Sequence, residues 1–543
     1  MFLDEYIDEN YKIKTPEHFN FAFDVVDRFA TEDSEKIALV WCDDKGNEKI
    51  LTFGQMAKNV NKTANVLKSL GIKKGDSVML ILRRRYEFWY MLLALHKIGA
   101  IAVPATVQLL TSDIVYRIEK AHIKMIVALN DEQVVEHIEN ALEEFSTKPE
   151  NFEKIPQLLL ANGNKEGWID FENQFEKASE TFADVRCAEN FDTSILYFTS
   201  GTSGYPKMVT HNFFYPLGHI VTAKCWQNVQ ENGLHLSLAE TGWAKALWGK
   251  IYGQWLCGCG VFAYDMETFI PKKVLEHLQN YKVTSFCAPP TAYRYLLRED
   301  FSHYDFSSLT QCTTAGEALT QDIFDTFKKQ TGITLREGYG QTELTLTSGN
   351  FPWVEVRVGS MGVASPNYDV DVIRPDGTSC NPNEVGEIVI RIDKSKPLGM
   401  FSGYYEDEEK TRQSFSDGIY HTGDSGRKDQ DGYFWFEGRT DDMIKSSGFR
   451  ISPFEVESVL LNHPAVFECA VTGIKDDRRG QIVKATIVVK EGFKPCRDLA
   501  REIKLFAKKN TANYKTPRLI EFVDELPKTH SGKIRRVEIR NKK

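Results

Sequence analysis

The strongest constraint on the fold is the way short apolar runs alternate with helix-like stretches up to about residue 350. Val78–Leu82 follows the turn Gly75-Asp76 and precedes a helical stretch over Glu87–Lys97. Ile101–Val103, Met125–Leu129, Ile195–Phe198, Ser285–Ala288 and Gln311–Thr314 repeat the apolar run, and the last leads into a helix over Gln321–Gln330. This alternation predicts an α/β chain built on doubly wound parallel sheets covered by helices.

The texture then changes. Asp369–Arg374, Glu387–Arg391 and Tyr433–Phe436 read as short strands separated by turn signals such as Pro375-Asp376-Gly377 and Asp431-Gly432, which predicts a small antiparallel β-barrel or sheet. Ser452-Pro453-Phe454-Glu455 reads as a helix start, with Ser as N-cap, Pro at the first position and Glu closing a capping box. The expected organisation is a large N-terminal domain over 1–438, a short hinge at 439–441 and a small, mobile α+β C-terminal domain over 442–543. The last 43 residues carry 13 Lys and Arg against 5 Asp and Glu.

Composition removes other classes. Of 543 residues 42% are hydrophobic and 26% charged, so a disordered, collagen-like or coiled-coil chain is excluded. Net charge is −9, which disfavours a nucleic-acid partner. The most apolar region, Val78 to Val103, is broken by Arg83, Arg84, Arg85, Glu87, His96 and Lys97, so no membrane span is expected. The start, Met1-Phe2-Leu3-Asp4-Glu5, has no leader pattern, and the ten cysteines form no CxxC pair. A cytoplasmic protein with reduced thiols is the expectation.

The densest chemical signal is Thr199-Ser200-Gly201-Thr202-Ser203-Gly204-Tyr205-Pro206-Lys207, entered from the apolar run Ile195–Phe198. Its glycines permit unusual backbone, its hydroxyls and N–H groups can donate to phosphate, and Lys207 adds positive charge. It lacks the order G-x-x-x-x-G-K-[ST] of the kinase and GTPase loop. Four further segments carry candidate groups. Glu337-Gly338-Tyr339-Gly340-Gln341-Thr342-Glu343 offers a hard oxygen ligand, a flat ring and a hydroxyl. Ala315-Gly316-Glu317-Ala318 lies between a predicted strand and helix, where such sheets bind ligands, although a plain turn reads the same way. Asp424 in Tyr420-His421-Thr422-Gly423-Asp424 and Arg439 in Gly438-Arg439-Thr440-Asp441-Asp442 could share a sugar, or be ordinary turn residues. Pro527-Lys528-Thr529-His530-Ser531-Gly532-Lys533 is a basic, glycine-flexible loop.

Taken together and in this order, these segments resemble the motifs of the AMP-forming acyl-CoA synthetases. They belong to the adenylate-forming superfamily, which also holds luciferase and peptide-synthetase adenylation domains. The resemblance covers about the whole chain, with Ser203 in place of a usual threonine. It implies ATP, Mg²⁺ and coenzyme A as cofactors and a small carboxylic acid as substrate. By resemblance, Thr199, Ser200, Gly201, Thr202, Ser203, Gly204 and Lys207 hold phosphate. Gly316, Glu317, Ala318, Glu337 and Tyr339 surround adenine, and Asp424 and Arg439 hold ribose. Thr342 contacts the α-phosphate, Glu343 holds magnesium, and Lys533 is the catalytic lysine. Asp441 is the pivot, and Ser446, Ser447, Gly448 and Arg450 line the path of coenzyme A.

The acyl pocket is assigned to Thr241, Gly242, Trp243, Trp248 and Gly340. Acetate-specific members have Trp at the position of Gly340, so glycine implies a pocket without that floor and a medium-chain or small branched acid; aryl acids stay open. Trp243 and Trp248 read equally as core. Arg83, Arg84 and Arg85 read as a solvated strand end, with coenzyme A phosphate as the alternative. The rival readings are an enzyme loading a carrier protein and a non-catalytic nucleotide sensor. Acetylation of Lys533 would remove its charge. Assembly as a homodimer is left open.

Overall fold

The computed structural model describes residues 2–183, 186–199, 206–317, 319–440, 442–446, 449–476, 478–528 and 534–541. Among them the strands form four sheets. The first has nine strands, in the order Val363–Ala364, Ser348–Gly349, Leu335–Tyr339, Gln311–Ala315, Ser285–Cys287, Leu234–Ser237, Gly260–Asp265, Ile37–Asp43 and Glu48–Thr52. Its six strands from Leu335–Tyr339 to Ile37–Asp43 run parallel. The second has eight strands, in the order Gly403–Tyr404, Lys207–Asn212, Thr193–Thr199, Ile101–Pro104, Ser77–Ile81, Ile123–Ala128, Gln157–Leu160 and Ile169–Asp170. It is parallel from Thr193–Thr199 onward. The predicted apolar runs thus fall on buried parallel strands, as the alternation required.

A half-barrel follows, made of Val370–Ile373, Gly386–Arg391, Phe415–Ser416, Ile419–Lys428 and Phe434–Arg439 in antiparallel pairing. The last sheet joins Ile444–Ser446, Phe449–Ile451, Val466–Asp476, Gly480–Val489 and Leu519–Phe522, with helices packed on it. Among the described residues no helix is long and apolar enough to cross a membrane.

The main core lies between the two large sheets. Leu80, Ala102 and Ile195 of one and Leu39, Val261 and Ala263 of the other belong to one apolar cluster. Helix Glu87–Ile98 sits in that cluster and is buried at every position, which explains its lack of a polar face. Its charged residues are neutralised locally: Arg85 bonds Glu87 at 2.6 Å, and Lys97 bonds Asp27 and Asn61 at 2.5 and 2.7 Å.

Two local expectations change. Arg83–Arg85 are half-buried and held by protein partners rather than being a solvated strand end. Arg83 pairs with Asp265 at 2.6 Å in a left-handed backbone conformation (φ 50°), and Arg84 bonds the carbonyls of Leu238 and Met266 at 3.2 and 3.4 Å. The loop that leaves strand Ser77–Ile81 is therefore stapled across to the other sheet. Second, Ser452 does cap helix Pro453–Leu461 by accepting from the Glu455 N–H at 3.0 Å, but the Glu455 side chain leaves the capping box to pair with Lys515. At the chain's end Arg536 bonds the buried Glu457 at 2.7 Å and Arg540 bonds Asp442, fastening helix Arg536–Asn541 to the last sheet.

Asp265 is 1% exposed. Removing one partner of a buried pair leaves the other charge uncompensated, so Asp265→Ala lowers unfolding free energy by about 3–5 kcal/mol. Urea unfolding checks this; a change under about 1 kcal/mol would mean the pair carries little of the loop.

Candidate active site

Strands Gln311–Ala315 and Leu335–Tyr339 are paired in parallel with Ala315 beside Gly338, so the turn after one and the loop after the other emerge together at the carboxyl edge of the sheet. Gly316 begins the first with φ of 99°, a conformation other residues rarely adopt. Lys245, unexplained by sequence, donates its ammonium to the Ala315 carbonyl and braces this turn. Glu317 accepts from the Thr291 hydroxyl at 2.6 Å. Ala318 lies outside the described residues.

Glu337 is buried on its strand and accepts from the Leu319 N–H at 3.3 Å. Burial pushes its carboxyl up to about 8, so it is a neutral group below the turn. Two residues on, the Tyr339 hydroxyl donates to Asp424 at 2.5 Å while its ring leans on Phe436, which fixes the plane of the ring from both ends. Asp424 and Arg439, fifteen positions apart in sequence, face each other directly in the half-barrel, and Arg439 donates to Asp424 Oδ1 at 2.9 Å. Gln341 donates to Asp424 Oδ2 at 2.6 Å and is itself held by the Tyr420 hydroxyl at 3.0 Å. The carboxylate that sequence placed at the ribose is thus 4% exposed and oriented by three neighbours.

The phosphate loop closes an antiparallel hairpin between strands Thr193–Thr199 and Lys207–Asn212, with Thr199 opposite Lys207. Ser200, Gly201, Thr202, Ser203 and Gly204 lie outside the described residues. The hairpin's second strand reaches the other motif directly. His211 is buried, its imidazole kept neutral with a pKa down to about 3, and its Nε2–H donates to the Thr342 carbonyl at 2.8 Å. Strand Gly403–Tyr404 pairs with the same strand. Its Tyr404 hydroxyl donates to Glu343 Oε1 at 3.0 Å, and Lys207 lies 5.3 Å from the centre of the Tyr404 ring. Glu343 and Lys207 therefore meet at one tyrosine, and Thr342, the neighbour of Glu343 in the chain, is held by His211. His211, Tyr404, Gln341 and Tyr420 are contacts that sequence reasoning missed, because each joins segments far apart in the chain.

Among the described residues no group of three His, Cys, Asp or Glu could hold a metal by itself. One partly buried carboxylate with a single oxygen engaged by Tyr404 suits Mg²⁺, which binds through one or two carboxylates plus nucleotide phosphate and water.

The acyl segment corrects one expectation. A Cβ on Gly340 would stand 2.3 Å from the Trp248 ring and 2.4 Å from the Thr345 carbonyl. Trp248, buried, therefore fills the space beside Gly340, and a tryptophan at 340 would collide with it. Gly242 packs its backbone on Ala105 and Thr106, Thr241 donates to the Arg83 carbonyl, and Trp243 is half-buried.

Lys533, Asp441, Ser447 and Gly448 lie outside the described residues, and the Arg450 side chain is not among those described. Ser446 is buried at the end of its strand, and Arg450 pairs with Lys445 across the adjoining one. The chain before and after the loop bearing Lys533 is joined by an isolated antiparallel bridge between Lys528 and Ile534, and the Arg535 N–H donates to the Pro527 carbonyl at 2.8 Å. A cavity of about 500 Å³ is lined by Lys528 together with Arg83, Asp131 and His137.

Comparison with known proteins agrees with this geometry. The model of the AMP-binding enzyme family matches residues 26–405, and that of the AMP-binding enzyme C-terminal domain matches 455–533. The chain is 38% identical to the acyl-coenzyme A synthetase ACSM3, mitochondrial, of Rattus norvegicus, over 99% of this chain and 93% of that one. It is 41% identical to 4-hydroxybutyrate–CoA ligase 1 of Metallosphaera sedula, over 96% and 90%. The crystal structure of the anthranilate CoA ligase AuaEII in complex with anthranoyl-AMP superposes with a TM-score of 0.87 at 30% identity, covering 97% of both chains. The chain belongs to the AMP-binding enzyme family, among its acyl-CoA synthetases, the acid–thiol ligases for which ATP and coenzyme A are substrates.

The neutral Glu337 gives a pH test. Its carboxyl keeps a proton to about pH 8 when folded and loses it near 4.5 when unfolded, so the native state binds the extra proton and stability falls as pH rises between those values. Glu337→Gln removes that loss. The variant should melt above wild type at pH 8 and close to it at pH 5; a gap that ignores pH would show that the carboxyl is ionised throughout.

Proposed function

We propose that this synthetase activates a short-to-medium or small branched carboxylic acid as its adenylate and transfers the acyl group to coenzyme A. The observation that carries the reading is the convergence of Lys207 and Glu343 on Tyr404, with Thr342 fixed by His211 beside Glu343 and Asp424 oriented by Arg439.

The nucleotide is held along that line. The adenine lies against the fixed ring of Tyr339 and the Gly316 turn, above the neutral Glu337. The ribose hydroxyls meet Asp424 and Arg439. The α-phosphate faces Thr342, and the β- and γ-phosphates lie toward Lys207 and the loop 199–204. Mg²⁺ held by Glu343 would supply positive charge against those phosphates. A carboxylate oxygen attacks the α-phosphorus as the bond to pyrophosphate breaks, giving acyl-AMP. Charge grows on phosphate oxygens during that step, so donors fixed beforehand stabilise it without having to reorganise. We assign Lys533, by the family resemblance, the role of bridging the carboxylate and the α-phosphate. The thiolate of coenzyme A then attacks the acyl carbonyl and the bond to AMP breaks.

The second step calls for a different surface. We assign the pivot to Asp441, with Ser446, Ser447, Gly448 and Arg450 entering as Lys533 withdraws, a hinge motion absorbed by few residues. The cavity lined by Arg83 and Lys528 is the place proposed for the diphosphate end of coenzyme A. Because Trp248 closes the space beside Gly340, short and branched acids fit better than long linear ones.

Acid-dependent ATP–pyrophosphate exchange, from acetate to dodecanoate with branched and aryl acids included, tests this. The expectation is greatest exchange with acids of four to eight carbons or branched acids, AMP release only with coenzyme A, and a longer optimum for Trp248→Ala. Exchange without release on coenzyme A would move the acceptor to a carrier protein, and no exchange with any acid would remove the synthetase reading. Asp441→Pro should spare exchange and abolish thioester formation; equal loss of both would refute the pivot.

A further inference from the structure

The helix behind the acyl segment carries a polar stripe that adenylation does not use. Tyr215 and His219 lie in helix Tyr215–Val221, and Thr222 opens the π-helical turn Thr222–Trp226 that continues it. Separations of four and three residues bring all three to one face. All are fully buried. Both ring nitrogens of His219 and the Thr222 hydroxyl nevertheless take no hydrogen bond from any described residue. Buried side-chain polar atoms are paired in the large majority of cases. Three unpaired atoms on one helical face, where a π-turn interrupts the helix, point to a partner from outside the chain.

The stripe adjoins the acyl side through one ring. The His219 ring stands 4.6 Å from that of Tyr215, edge to face, and 6.4 Å from that of Trp248. The Tyr215 hydroxyl lies beside the same indole. Trp248 in turn fills the space next to Gly340, in the loop that carries Thr342. One indole thus touches both the nucleotide-site loop and the stripe.

The chemistry of the stripe selects the ligand group. Burial holds His219 well below the ordinary histidine value, so the imidazole is neutral and offers one donor and one acceptor. Its ring neighbours are Tyr215, Trp248 and Tyr252, none of them charged. An ionised group would find no counter-charge there, whereas a hydroxyl, which both donates and accepts, matches the set.

We propose that Tyr215, His219 and Thr222 recognise a hydroxyl at the distal end of the acid, which makes a short hydroxy acid a better substrate than the alkyl acid of equal size. This rests on the acyl-CoA synthetase reading.

The comparison is 4-hydroxybutanoate against pentanoate, in which a hydroxyl replaces a methyl. With ATP and coenzyme A, wild type should favour the hydroxy acid by about tenfold or more in kcat/KM, since a site built for a hydroxyl rejects the analogue that lacks it. His219→Phe and Thr222→Val should bring that ratio to about one or below while turnover of pentanoate and the melting temperature are kept. Wild type preferring pentanoate, or an unmoved ratio in both variants, would overturn the proposal and leave the stripe to buried water. Calorimetric titration of the two acids into the protein reads the same preference without turnover. Tighter hydroxy-acid binding by a protein that forms no AMP would sustain the stripe and overturn the synthetase reading, and equal binding would overturn the stripe.

Discussion

The architecture depends on one helix with no polar face. Glu87–Ile98 is enclosed at all of its positions, so apolar surface must reach it from both large sheets. Its terminal charges can be buried only because Arg85, Asp27 and Asn61 neutralise them. With the sheets held against it, the loop after Ser77–Ile81 is stapled to Asp265 of the opposite sheet, and the acyl segment 239–248 lies against the turn after Pro104. The acyl side of the site is thus built from the join between two sheets rather than from one loop.

The nucleotide side shows the same economy of shared contacts. Asp424 is held by Tyr339, Gln341 and Arg439, and Tyr404 touches Glu343 while lying under Lys207. Each group proposed to meet ATP is fixed by a neighbour, Asp424 by Tyr339 and Arg439, Glu343 by Tyr404 and Thr342 by His211. Holding donors in place before the ligand arrives is what makes such a site electrostatically effective.

Much of this was legible in the sequence, for identifiable reasons. Val78–Leu82, Ile195–Phe198 and Gln311–Thr314 lie on strands because uninterrupted apolar runs suit burial on both faces, and no boundary moved by more than two residues. The motif residues Tyr339, Thr342, Glu343, Asp424 and Arg439 announced themselves by type and order. What sequence could not show was distance between remote segments. Nothing in Arg83-Arg84-Arg85 says that Asp265, Leu238 and Met266 will absorb two of the three charges. Nothing at Gly340 says that Trp248, over ninety positions earlier, fills the space the glycine leaves. Glu455 looked like half of a capping box, and a lysine sixty residues on competed for it successfully.

The fastening of the last helix bears on how the C-terminal part can travel. Arg540 is tied to Asp442, and Arg536 to Glu457 on the helix that follows. The chain that follows loop 529–533 is therefore lashed to the first residues of the same unit, and Lys528 before the loop pairs with Glu468. The proposed hinge motion would then carry that unit as a single lever rather than by internal shear. The fulcrum of any swing then lies ahead of Asp442, and displacement of the loop is set by the length of the arm rather than by the loop's own pliancy.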